Sequence, residues 1–115
     1  MPRRKLDPLP PAAFHILLAL ADGEKHGYGI MREVAEDTDD AVRLGPGTLY
    51  GSIQTLLAAG YVEESAARSE PAGDERRRYY RLSGVGRAAL TAEAERMASL
   101  LRLARAKKIL KRAHV

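Results

Sequence analysis

Residues 45–61, with the sequence GPGTLYGSIQTLLAAGY, constrain the fold of this chain more than any other stretch. They read as one short helix with a marked start and stop. Gly45 is an acceptable N-cap, and Pro46 fits the first helical position, where its missing N–H is no loss. Gly60 can take the left-handed conformation that ends a helix. Leu49, Ile53, Leu56 and Leu57 recur at i, i+4, i+7 and i+8, so they share one buried stripe. The opposite face holds Thr48, Gly51, Gln54, Thr55 and Ala58, with Tyr50 on its flank. That face is small, polar and uncharged, whereas a merely solvated helix face is usually built from Lys and Glu. It suits close approach to another surface, either a DNA major groove or a neighbouring helix inside the domain.

A length of 115 residues makes one small domain, with room for an appended helix and a core modest enough that oligomerisation would support it. Aromatic residues are scarce at 5%, so that core must be built from Leu, Ala, Val and Ile. The formal net charge of +4 favours an anionic partner without identifying it. There is no Cys, which excludes disulfides and thiolate metal sites. No apolar run approaches the roughly 20 residues that span a bilayer. Arg3, Arg4 and Lys5 are not followed directly by a long apolar run, so a secretory signal is not expected and a cytoplasmic protein is.

Taken in order, residues 1–10 are Pro-rich and basic and read as a flexible arm. A first helix is expected over 11–21, with Phe14, Leu17, Leu18 and Ala21 on its buried face. His26 opens a second helix that reaches about residue 37; Gly27 and Gly29 within it suit a close helix–helix approach better than a dinucleotide loop. The acidic run 37–40 lacks the ligand series of a calcium loop and reads as a solvated turn. Residues 41–44 suggest a very short strand leading to the central helix. After that helix, 61–65 and 76–82 read as the two strands of a hairpin around a tip rich in turn formers. Tyr80 and Leu82 face the core, Tyr79 and Arg81 face away, and Arg76, Arg77 and Arg78 lie on the arm. Those arginines either pair with Glu70, Asp74 and Glu75 or reach phosphates. Ser83 can cap a last helix running from about 85 to 113. Leu90, Met97, Leu101 and Ala104 recur near heptad spacing along it, and Leu100 and Leu103 widen the stripe. One small domain cannot cover such a stripe, and a second copy of the chain is its simplest cover.

Three helices, a hairpin and a long helix make a mainly α fold with a small β-hairpin. This is the plan of a winged helix-turn-helix at 11–82, followed by a dimerisation helix at 83–115. Here the chain resembles the PadR family of bacterial transcriptional regulators in its short-tailed form. The resemblance is carried by Leu17 and Leu18, by His26-Gly27-Tyr28-Gly29-Ile30, and by Leu44 through Tyr50. Leu56 through Val62, Arg78-Tyr79-Tyr80-Arg81-Leu82 and Ser83 through Gly86 also match, and together these segments cover most of residues 9–110. The chain departs from the family pattern at Gly51, where a proline is common, at Gly45, where Ser usually caps, and at Gly29, where Glu is common.

The resemblance implies a homodimer that binds a pseudo-palindromic operator in double-stranded DNA, usually as a repressor. It places Thr48, Tyr50 and Gln54 toward the groove, with Gln54 the candidate for adenine readout. It places Tyr28 and the wing arginines Arg76, Arg77 and Arg78 on phosphates, while the apolar stripe of the last helix puts Leu90, Met97, Leu100, Leu101 and Ala104 in the dimer interface. A winged-helix protein-interaction module without DNA is the competing reading. No enzyme is expected, since the sequence offers no paired carboxylates, P-loop or nucleophile motif, and no metal or cofactor is expected. The resemblance also allows a small-molecule effector, although one Phe and no Trp give an aromatic pocket little material.

Overall fold

The elements follow in the order α1 (Pro11–Ala19), β1 (Lys25–His26), α2 (Gly27–Asp37), α3 (Pro46–Ala59), β2 (Val62–Ser65), β3 (Tyr79–Leu82) and α4 (Gly84–Ala106). The computed structural model describes residues 6–65 and 78–111. Four helices surround one core, and the strands form a three-stranded antiparallel sheet in the order β1-β3-β2.

Helix α3 has the predicted bounds and caps. Gly45 is its extended N-cap, Pro46 its first residue, and Gly60 closes it in the left-handed region at φ 80°. Leu49, Ile53 and Leu56 are fully buried and Leu57 is half-buried, as their spacing requires. Helix α1 buries a face rotated from the one expected. Ala13, Ile16, Leu17 and Leu20 enter the core, Phe14 and Ala21 pack partly buried against it, and Leu18 is 45% exposed. The reason is that α1 is apolar almost all round, so periodicity does not fix its phase. It also stops two residues early, and Leu20 becomes the C-cap that turns inward.

Residues 41–44 form no strand. Thr38 organises this loop instead: its hydroxyl donates to the Val34 carbonyl (2.8 Å) and accepts from the Val42 N–H (3.0 Å). Asp39 and Asp40 take positive φ values of 50° and 65°, and the chain then drops Leu44 into the core. The hairpin expected over 61–65 and 76–82 is observed as β2 and β3, with Val62 opposite Leu82 and Ser65 opposite Tyr79. The third strand, β1, places His26 opposite Tyr79 on the other edge of β3.

The N-terminal segment departs from the expected arm where it is described. Leu9 is a core residue, the Leu6 N–H donates to the Tyr61 hydroxyl (3.1 Å), and the Leu9 N–H donates to Glu93 Oε1 (3.4 Å). Arg3, Arg4 and Lys5 lie outside the described residues. Ser83 caps α4 as predicted, accepting from the Gly86 N–H at 2.9 Å. The helix ends at Ala106 rather than near 113, because Lys108 enters the left-handed region (φ 63°) and the Ile109 N–H bonds back to the Ala104 carbonyl.

Candidate nucleic-acid interface

The outward face of α3 is the surface that the sequence singles out, and the fold leaves it open. Thr48, Gly51, Gln54, Thr55 and Ala58 are all exposed. A Cβ added at Gly45, Gly47 or Gly51 would meet nothing within 4 Å, so no described part of the chain packs on these positions. The buried stripe on the other side, Leu49, Ile53 and Leu56, holds the helix to the core. Thr48 and Gln54 therefore stand where a groove could receive them.

Tyr50 does not join them. It is half-buried and packs on the core, and a Cβ on Gly27 would come within 2.5 Å of its hydroxyl. The side chain lies back against the start of α2. Of the two glycines expected to serve a close helix approach, Gly27 does so and Gly29 does not; its nearest neighbour is the ring of His26 at ordinary contact distance.

The junction at residues 25–28 gathers the other parts of the surface. His26 caps α2 through Nδ1, which accepts from the Gly29 N–H at 3.0 Å. An imidazole nitrogen takes the place that Ser or Asp usually fills, which is why composition rules did not mark this cap. The His26 ring meets Tyr79 of β3 edge-on with centroids 5.4 Å apart, linking α2 to the wing. Tyr28 is 57% exposed, with the Arg32 guanidinium 6.0 Å from its ring centroid. Its hydroxyl-bearing ring is open to a partner, as a phosphate contact requires.

On the wing, Arg76 and Arg77 lie outside the described residues, as do Glu70, Asp74 and Glu75. Arg78 pairs with Glu64 (3.2 Å) and Arg81 with Glu63 (3.1 Å) across the β2–β3 ladder. Both pairs are about half exposed, and such surface pairs contribute roughly 0–1 kcal/mol.

The expected dimer residues divide. Leu90 is only 6% exposed and belongs to the chain's own core, so it has little surface to give a second copy. Met97 and Ala104 are half-buried, while Leu100 and Leu101 are each 52% exposed and Leu103 is 50% exposed. The bare apolar stripe thus begins about two turns after Leu90.

Three structural residues escaped the sequence reading. Glu93 is buried, accepts from the Leu9 N–H and pairs with Arg96. Its hydrogen bond from Arg96 holds the carboxyl below its ordinary range, against desolvation. Its position between Leu90 and Met97 on the apolar stripe was the available signal. Lys25 donates to the Ala19 carbonyl (2.6 Å) and Asp22 (2.7 Å) and pairs with Glu33 (3.4 Å), tying α1 to α2. Burial works against its charge, but the hydrogen bond to Asp22 and the charges of Glu33 and Asp22 prevail and raise its pKa. Gly86 is the third: a Cβ there would lie 2.0 Å from the Tyr61 carbonyl oxygen. A cavity of about 140 Å³ sits between the N-terminal segment and α4, lined by Leu6, Leu9, Tyr61, Ala89, Glu93 and Arg96 among others.

Comparison with known proteins bears on this surface. The transcriptional regulator PadR-like family matches residues 16–92. The transcriptional regulator Rv3488 of Mycobacterium tuberculosis is 34% identical over 88 residues, covering 76% of this chain and 77% of that protein. An uncharacterized 37.1 kDa protein in transposon TN4556 of Streptomyces fradiae is 38% identical over 85 residues, 74% of this chain, which spans only 22% of that longer relative. Among solved structures, Bacillus subtilis PadR in complex with operator DNA has the same fold, with a TM-score of 0.59 at 20% identity over 70% of this chain and 44% of that one.

Proposed function

The chain belongs to the transcriptional regulator PadR-like family, and from that premise we propose that it binds double-stranded DNA as a homodimer and represses transcription at a pseudo-palindromic operator. The observation that carries this reading is the outward face of α3, exposed, neutral and unobstructed among the described residues. Thr48 and Gln54 supply its hydrogen-bonding groups, and Gln54 is the reader of adenine. Tyr28 and the wing arginines 76, 77 and 78 contact phosphates, which sets affinity and register rather than sequence preference. The exposed stripe of Leu100, Leu101 and Leu103, with Met97 and Ala104 beside it, is the seam between two copies. In such a pair the two α3 helices enter successive major grooves about 34–36 Å apart. The relative that holds operator DNA supports the reading through its shared fold.

Selection of bound sequences from a random duplex pool tests it. The full chain should enrich a two-fold symmetric motif, and its affinity should fall steeply as salt rises. Gln54→Ala should lose base preference at one position of each half-site while keeping salt-sensitive binding. Binding to no duplex, or with no salt dependence, would favour a protein-interaction module instead.

A further inference from the structure

Tyr50, half-buried on the flank of α3, lies against the start of α2. A Cβ on Gly27 would fall 2.5 Å from the Tyr50 hydroxyl oxygen, 2.9 Å from Cζ and 3.0 Å from Cε1. A side chain there would have to push the Tyr50 ring aside. Gly27 has no positive φ and opens α2 in ordinary helical backbone, so what a side chain here would meet is the Tyr50 ring and not a conformational penalty. Elsewhere on these two helices the glycines carry no such demand: Gly29, Gly47 and Gly51 have ordinary contacts or none. The residue before Gly27 is His26, which caps α2 and meets the wing at Tyr79. One place in the fold therefore fixes α3, α2 and the wing against one another.

We propose that Tyr50 is a positioning residue and not a base reader: its ring, lodged on Gly27, sets the separation of α3 from α2 and so aims Thr48 and Gln54. This rests on the DNA-binding reading above. The hydroxyl makes no base contact in this role; the body of the ring acts as the spacer. A phenylalanine keeps that spacer, and an alanine removes it.

The test is a double-mutant cycle on the full chain, read as affinity for the duplex selected by the wild type and as the sequence motif each variant selects. Tyr50→Phe should keep the motif and bind within about twofold of wild type. Gly27→Ala should weaken binding roughly tenfold in the wild-type background and have almost no effect in the Tyr50→Ala background, because the ring it strikes is gone. Equal Gly27→Ala penalties in both backgrounds, or a changed motif in Tyr50→Phe, overturn the proposal. Should Gly27→Ala fail to fold by circular dichroism, Tyr50→Ala beside Tyr50→Phe decides the question: binding weakened in the alanine variant alone supports positioning, and equal behaviour of the two overturns it. A wild-type chain that binds no duplex brings down the function reading and this inference together; additive penalties in a chain that does bind bring down only the positioning role.

Discussion

Helices α3 and α4 each leave a face that no described part of the chain covers, and the two faces are chemical opposites. On α3 the open surface is Thr48, Gly51, Gln54, Thr55 and Ala58; on α4 it is Leu100, Leu101 and Leu103. Water satisfies the first at no cost, so that face can remain open until a polar partner arrives. The second keeps leucine surface in water, and each square ångström covered would contribute about 25 cal/mol. The difference separates recognition from assembly: one helix offers hydrogen-bonding groups, the other offers area. The two are joined through the Ser83 hydroxyl, which has the Gly60 (2.7 Å) and Tyr61 (3.0 Å) carbonyls as acceptors for its single proton and accepts from the Gly86 N–H.

Breaking the joint should have the largest effect. Gly86→Ala drives a methyl against the Tyr61 backbone carbonyl, which cannot swing aside as a side chain could. A loss of about 3 kcal/mol is expected, seen as a fall in melting temperature on the order of 10 °C or more. Next comes the apolar face. Leu101→Glu should halve the mass measured by sedimentation while helix content is kept, and an unaltered mass would place the seam elsewhere.

The covered half of α4 gives a smaller, pH-dependent effect. Because the Glu93 carboxyl titrates below its ordinary value of 4.5, it contributes stability above that pH and loses it as pH falls through the depressed value. Melting temperature measured against pH should therefore drop on the acid side. Glu93→Gln should melt lower at neutral pH and show a shallower acid decline. The smallest effect belongs to the polar face. Gly51→Ala should stabilise the fold by up to about 1 kcal/mol, since alanine is the better helix former and nothing obstructs its methyl. Its affinity for the selected duplex should fall nonetheless, which would sharpen the contrast between a face shaped for folding and one shaped for a partner.

What the sequence could reveal follows the same division. The bounds of α3, both of its caps and its buried stripe were legible because Pro46, Gly60 and the leucine spacing all agree. The phase of α1 was not, because a helix apolar on every side carries no phase signal. Strand β1 is two residues long, too short for any alternation, and exists only because β3 offers an edge. Helix α4 was read too long because its basic end continues the helical composition, while the stop depends on Lys108 entering a conformation usually left to glycine. On the outward face, the exposure of Thr48 and Gln54 was legible from helical geometry. The half-burial of Tyr50 was not, because it lies against Gly27, twenty-three positions earlier, and local spacing is blind to that contact.

The knot at Ser83 has a mechanical consequence. Helix α4 spans 23 residues, about 34 Å, and its first turn is fastened at Ser83 and Gly86 to the backbone that leaves α3. It is a lever fastened at one end, with its leucines at the other. Two such levers crossed at their leucine ends would hold their tips at one fixed span, like the jaws of a caliper.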